Sequence, residues 1–402
     1  MNEPMRLREG VVQRVHLDDA LAAAITREHI AQVVPLGGGL WQVSNVKRVG
    51  AIWLEGTEVR IEPKVPIRSL FHLLARGRSW GAWWPDDLKL DNTADFSTVI
   101  AEAFLSHAAR ALRGGILHGY VERREAAQTI RGRVLMDEQI RRRTGALLPV
   151  ELQYDDFTAD IAVNQLLRSA ARRLVGAGRL RDQVRSGLLR LDLALADASL
   201  LTRGAALPDY LWDRRNERYR SAVALAQLIL TNGSLDHRVG GTTAKGFLLT
   251  LSKVFEEFIE TEVARAASPY GGWVVAQERA SLDLEGRIRI EPDLVWRDSS
   301  GSRAVLDAKY KSEKPSGFPN ADIYQMIVYC IRLGLDTGHL IYAAGNEEPA
   351  RYEIHNAGVT VVCHALRLED EPDAISAQLD RIVGDAHHAC VAQRERVRRT
   401  NG

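Results

Sequence analysis

The chain has 402 residues, of which 46% are hydrophobic and 26% charged, with a formal net charge of +1. That length predicts two or three folded domains rather than one core, and no apolar run approaches the ~20 residues of a membrane span. The first ten residues lack the apolar stretch of a signal peptide, and Cys330, Cys363 and Cys390 are too scattered for a disulfide framework or a Cys-based zinc site, so a reducing cytoplasmic setting is expected.

Residues 1–65 read as β-rich, with short β-branched runs at Val11–Val15, Leu40–Val46, Gly50–Leu54 and Glu58–Ile61. Gly37-Gly38-Gly39 and Glu55-Gly56 break them as turns do. Pro63 and Pro66 end this region, and Ile67–Ala75 opens a helical pattern. Residues 66–120 read as helical, with Val99–Leu112 amphipathic and Trp80, Trp83 and Trp84 expected to pack in a connecting segment. Residues 121–150 read as irregular and basic: Arg123, Arg124, Arg131, Arg133, Arg141, Arg142 and Arg143 face only Glu122, Glu125, Asp137 and Glu138. Such a cluster is either a contact for DNA phosphates or a partner, or a solvated loop. Arg131, Arg133, Arg141, Arg142 and Arg143 are the candidate DNA-binding residues.

Residues 158–232 read as mostly helical, and Lys245–Ala266 as one helix with Leu249, Val254, Phe255, Phe258 and Ile259 on its apolar side. The pattern then changes to strands at Trp273–Gln277, Arg287–Trp296 and Ala304–Lys309, a helix at Asp322–Leu333, strands at His339–Ala343 and Val359–His364, and a helix from Glu371 to Ala386 before a basic tail. The fold class expected is α/β and multi-domain. It has a β-rich and helical N-terminal domain at 1–120, a helical middle region with the basic segment at 121–240, and an α/β domain at 241–402.

The chemistry concentrates in Ile290-Glu291-Pro292-Asp293-Leu294-Val295 and Ala304-Val305-Leu306-Asp307-Ala308-Lys309-Tyr310. Alternate strand residues share a face, so Asp307 and Lys309 point into one cleft and Ala308 points away. A short turn at Arg297–Arg303, with Asp-Ser-Ser-Gly within it, lets the two strands pair as a hairpin and can bring Asp293 beside Asp307. Two carboxylates can hold Mg²⁺, with Mn²⁺ as a substitute, and a neighbouring lysine can orient a nucleophile or neutralise charge on a phosphoryl group. An Asp–Lys ion pair at a strand end is the plainer alternative. Gln325 and Tyr329, spaced i, i+4, share a face of the next helix and can close over the cleft. Glu256, in the pair Glu256-Glu257, can reach the site from the upstream helix, or stand as a solvated charge. His107, His118 and His339 are scattered and suggest no role.

These residues resemble the McrC family, the nuclease subunit of McrBC-type modification-dependent (type IV) restriction systems. Ile61-Glu62-Pro63-Lys64-Val65 is similar to its I-x-P-K strand end, Ile130-Arg131-Gly132-Arg133-Val134 to its R-G-R segment, and Tyr154-Asp155-Asp156-Phe157 with Asp160 and Asn164 to its Y-D-E-F stretch. Phe255-Glu256, Pro292-Asp293, Asp307-Ala308-Lys309-Tyr310-Lys311 and Asp322-x-Tyr324-Gln325-x-x-x-Tyr329 resemble its nuclease motifs. The resemblance implies a C-terminal PD-(D/E)XK restriction-endonuclease-like domain that cuts double-stranded DNA with Mg²⁺, and an N-terminal part that docks into a McrB-like AAA+ GTPase and stimulates its hydrolysis. Carried over by position, Asp293 and Asp307 are metal ligands, Lys309 is the catalytic lysine, Glu256 an additional acid and ligand, and Gln325 and Tyr329 are supporting residues. The chain contains no G-x-x-x-x-G-K-[ST] motif, as expected of a subunit that borrows its nucleotide chemistry. A non-catalytic activator of a AAA+ ring and a standalone repair nuclease of the same superfamily are the alternatives.

Overall fold

Strand-forming runs of four to seven residues need partners from elsewhere in a chain to persist. The computed structural model describes residues 4–65, 69, 73, 96–143, 145–176, 180–202, 204–232, 238–239, 242–243, 245–310, 318–343 and 349–400. Trp80, Trp83, Trp84, Lys311 and most of the expected Ile67–Ala75 helix lie outside the described residues. The first elements are β1 (Met5–Arg8), β2 (Gln13–His16), α1 (Asp19–Arg27), β3 (Gln32–Gly37), β4 (Leu40–Ser44), β5 (Arg48–Leu54) and β6 (Thr57–Glu62). The expected strands are present. In addition, α1 is capped by Asp18, whose carboxylate accepts the Leu21 N–H at 2.7 Å, and it buries Leu21, Ala22, Ala24 and Ile25.

The middle region opens with α2 (Phe96–Leu112), which matches the expected amphipathic helix. The basic segment is not irregular. It forms β7 (Gly119–Ala127), β8 (Arg133–Val134) and α3 (Met136–Arg142), and β7 pairs antiparallel along its whole length with β9 (Val150–Thr158). Glu122, Arg123, Arg124 and Glu125 give β7 no apolar alternation, which hides the strand from a periodicity reading. Gly132 has φ +71°, and a Cβ there would lie 2.4 Å from the Gln153 carbonyl oxygen, so the R-G-R segment needs glycine to cross β9. Helices α4 (Ala162–Gly176), α5 (Asp182–Ala194) and α6 (Arg220–Asn232) follow and share one core with α2 through Phe104, Leu167, Leu188 and Ile229.

Next come β10 (Arg238–Val239), β11 (Thr242–Thr243), β12 (Lys245–Thr250) and α7 (Leu251–Ala267). The expected helix from Lys245 therefore starts six residues late. Lys245–Thr250 pairs antiparallel with β5, Lys245 opposite Trp53 and Thr250 opposite Arg48, and completes the sheet β1-β6-β5-β12. A partner almost two hundred residues away overrides the local apolar pattern.

The C-terminal part contains β13 (Trp273–Ala276), β14 (Ala280–Ser281), β15 (Arg289–Ile290), β16 (Leu294–Asp298), β17 (Gly301–Lys309), α8 (Asn320–Leu333), β18 (Thr337–Tyr342), β19 (Ala350–Ile354), β20 (Val359–Ala365) and α9 (Pro372–Thr400). The expected strand Arg287–Trp296 is split at Pro292, which cannot donate to a ladder. Six strands form the sheet β13-β16-β17-β18-β20-β19, parallel across β17, β18 and β20 and antiparallel at its flanks. Helix α8 makes the crossover from β17 to β18 and packs on one face through Met326 and Cys330. Helices α7 and α9 cover the other face against Leu306 and Ile341. The basic tail continues α9 to Thr400, where Arg394 pairs with Asp298 at 2.8 Å and Arg396 with Asp336. No helix among the described residues is long and apolar enough to cross a membrane.

Gly338 sets how close α8 lies to the sheet. A Cβ there would meet Met326 Sδ at 2.4 Å and Cys330 Sγ at 2.6 Å. Gly338→Val is expected to destabilise the chain by about 1–3 kcal/mol by lifting α8. Denaturant unfolding checks this, and wild-type stability would show that α8 has room to shift.

Candidate active site

In the antiparallel β16–β17 hairpin Leu294 stands opposite Leu306 and Val295 opposite Val305. Continued one residue beyond the ladder, this register would bring Asp293 opposite Asp307. Along β17 the side chains alternate as expected. Val305 joins the α8-side core and Ala308 the α7-side core, so Asp307 and Lys309 share the α8 side. The backbone N–H of Ala308 donates to Asp293 Oδ2 at 2.8 Å, which fixes that carboxylate against the strand. Asp307 is 2% exposed, and its Oδ2 lies against the Lys309 ammonium but receives no hydrogen bond of good geometry.

Helix α8 completes the cleft. Lys309 Nζ donates to Gln325 Oε1 at 3.0 Å, Gln325 Nε2 to the Tyr329 hydroxyl at 2.7 Å, and that hydroxyl to the Glu291 carbonyl at 3.2 Å. The i, i+4 pair therefore faces the site and links Lys309 back to the segment that carries Asp293. At the start of α8, Tyr342 donates to Asp322 at 3.0 Å in full burial, a contact that sequence pattern alone did not single out.

The electrostatics follow from packing several carboxylates around one lysine. Burial, and then the charge of Asp307, push the Asp293 carboxyl up to about 7. Burial and then Asp307 also raise Glu256, which joins the group by its charge from the first turns of α7. Burial pulls Lys309 down, but Asp307 and Asp293 outweigh it and hold the ammonium above its usual range. The Tyr329 hydroxyl is raised, by burial first and then by Asp307, and stays protonated.

This donor set fits a hard divalent cation. Its acids are all oxygen donors, one buried carboxylate oxygen lacks a proper hydrogen bond, and negative charge exceeds positive. Among the described residues no three His, Cys, Asp or Glu side chains converge closely enough to enclose an ion. Asp293 and Asp307 are thus the pair that the continued register would bring together, and Mg²⁺ commonly keeps several waters beside one or two carboxylates.

The candidate DNA-binding arginines sit elsewhere, in the β7–β9 module. Arg131 stacks 3.9 Å over the Tyr154 ring and pairs with Glu125 at 2.7 Å. Arg142 approaches Glu138 at 3.7 Å, and Arg143 pairs with Glu151 at 3.2 Å. Arg133 and Arg141 are exposed. Acids thus occupy three of the five, and no contact among the described residues joins them to Asp307.

Comparison with known proteins bears on this arrangement. Residues 43–343 match the family model described as McrBC 5-methylcytosine restriction system component. Among solved structures, the chain is similar to one in a refined half-complex from a tetradecameric assembly of Thermococcus gammatolerans McrB AAA+ hexamers with bound McrC. The TM-score is 0.61 at 18% identity, covering 95% of this chain and 100% of that one. A second match is to the cryo-EM structure of the Thermococcus gammatolerans McrBC complex, with TM-score 0.41 and 19% identity over 66% of this chain and 88% of that one. No curated protein matches the chain. At such identity the first likeness speaks for the fold alone, but the family match runs from β4 to the end of β18 and takes in Glu256, Asp293, Asp307, Lys309, Gln325 and Tyr329. The chain belongs to the McrBC 5-methylcytosine restriction system component family.

Proposed function

We propose that this chain is the Mg²⁺-dependent DNA endonuclease subunit of a McrBC-like restriction system. In this reading its C-terminal α/β part is a PD-(D/E)XK nuclease domain, and it cuts methylcytosine-containing foreign DNA when driven by a McrB-like AAA+ GTPase whose hydrolysis it stimulates. The observation that supports the reading is the end of the β16–β17 hairpin, where Asp293 accepts the Ala308 N–H and Lys309 pairs with Asp307. The family match supports the partner, as does the likeness to a chain from an assembly of McrB AAA+ hexamers with bound McrC.

The residues divide the work. Asp293 and Asp307 would hold Mg²⁺, with Glu256 adding negative charge beside them. When bound, the ion would polarise a phosphoryl oxygen and lower the pKa of a water. Lys309, held by Asp307 and Gln325, keeps its proton and can face the negative charge that builds on the phosphate. Gln325 and Tyr329 anchor that ammonium to the Glu291 carbonyl, so the lysine does not swing freely toward solvent. Reconstitution with a McrB-like AAA+ GTPase tests this function. Cutting of methylated plasmid should require GTP, Mg²⁺ and both proteins. Cutting of unmodified DNA by the chain alone would instead indicate a standalone nuclease, and GTPase stimulation without cutting would indicate an activator.

A further inference from the structure

Lys64 and Tyr310 belong to two sequence motifs that the proposed chemistry leaves unused. Lys64 lies two residues past β6, and Glu9 follows β1 directly. Because β1 and β6 are parallel, with Arg8 opposite Glu62, both residues leave the N-terminal sheet at the same end. There they meet Tyr310, the residue after Lys309. Lys64 Nζ donates to the Tyr310 carbonyl at 3.2 Å and stands 4.0 Å from the centre of its ring. The Tyr310 hydroxyl donates to Glu9 Oε2 at 3.2 Å, and the Lys64 backbone N–H donates to the same carboxylate oxygen at 3.3 Å. Glu9 is only 4% exposed, so the cluster is dry on the carboxylate side.

We infer that Glu9, Lys64 and Tyr310 form a latch by which the N-terminal sheet positions the catalytic end of β17, which makes them positioning residues for Asp307 and Lys309. The inference rests on the nuclease reading of that site. A buried Glu and Lys are a poor source of stability, because their desolvation offsets most of their attraction, and an apolar trio would hold two domains together as well. What the polar trio adds is direction: the Lys64 ammonium fixes the Tyr310 carbonyl and Glu9 fixes its hydroxyl. The backbone there is pinned from both sides, because the neighbouring Lys309 carbonyl accepts the Ala343 N–H at 3.0 Å. A second link leaves the same sheet. Strand β12 runs straight into α7, where Phe255 lies 5.8 Å ring to ring from Tyr310 and precedes Glu256. Sheet, latch and helix thus meet within one residue of Lys309 and one of Glu256. A displacement of the N-terminal sheet by a bound partner would reach both.

The test uses the full chain with its AAA+ partner. Lys64→Met and Tyr310→Leu should lower the maximal cleavage rate by about 10- to 100-fold, as small misplacements of reacting groups do. Assembly should stay near wild type, as should the melting temperature of Tyr310→Leu, whereas Lys64→Met leaves the buried Glu9 without its cation and should melt lower. In Tyr310→Leu amide hydrogen exchange should quicken only in 305–310 and the first turns of α7. Tyr310→Phe keeps the ring beneath Lys64 and should retain more activity than Tyr310→Leu. It also serves if Lys64→Met fails to fold. Wild-type cleavage and exchange in folded variants would overturn the latch, as would faster exchange throughout the chain, which marks mere domain packing. Asp307→Asn separates the two readings. If it is inactive while the latch variants cut normally, only the latch fails. If it cuts like wild type, the nuclease reading fails and the latch falls with it.

Discussion

Asp307→Asn is expected to reduce DNA cleavage by on the order of 10³-fold while leaving the metal-free chain close to wild-type stability. The two halves of this result have one cause. Asp307 is buried and raises both Asp293 and Glu256, while its pairing with Lys309 stands against that repulsion. Asparagine keeps the shape, removes the repulsion, and leaves Lys309 facing the remaining acids. Plasmid nicking and a thermal melt, run on the same preparation, check it. A drop of several degrees alongside lost cleavage would make Asp307 a structural residue instead.

Metal binding is expected to weaken about tenfold for each pH unit below 7 and to level off above it. Asp293 sits at about 7 in the folded chain against an ordinary 3.8, so below 7 a proton competes with the cation for that carboxylate. The sign for stability is the reverse of the common carboxylate case. Between 3.8 and about 7 the folded chain keeps a proton that the unfolded chain has released. The contribution of Asp293 is therefore full at the acid end of that window and is lost as pH rises through it. Bound metal should flatten this decline. Calorimetry in buffers of different ionisation heat reads the protons released, about one at pH 6 and close to none at pH 8. Equal affinity at both pH values would mean that Asp293 is not a ligand.

The site was more legible than the fold around it. The grouping of Asp293, Asp307 and Lys309 follows from strand alternation and one short turn, both local rules, and β16 and β17 do pair as a hairpin. Gln325 and Tyr329 share a helix face as their spacing implies, Gln325 accepting from Lys309 and donating to Tyr329. What the sequence hid were features decided by distant partners. Lys245–Thr250 has the composition of a helix start and becomes a strand because β5 needs an edge partner. Glu122–Glu125 has no apolar face and becomes a strand because β9 runs beside it. The latch joins Glu9 to Tyr310 across 301 residues, a pairing that no local period encodes. The arginines of the middle region counted as a basic excess in the sequence, yet folding sets Arg131, Arg142 and Arg143 against Glu125, Glu138 and Glu151.

If Asp293 and Asp307 together hold the metal for DNA cleavage, Mn²⁺ should bind the full chain without its partner through both carboxylates. Calorimetric titration should give binding in the wild type that is lost in Asp293→Asn and in Asp307→Asn and is unchanged in Arg131→Glu. No binding by the wild type, or equal binding by Asp307→Asn, would contradict it.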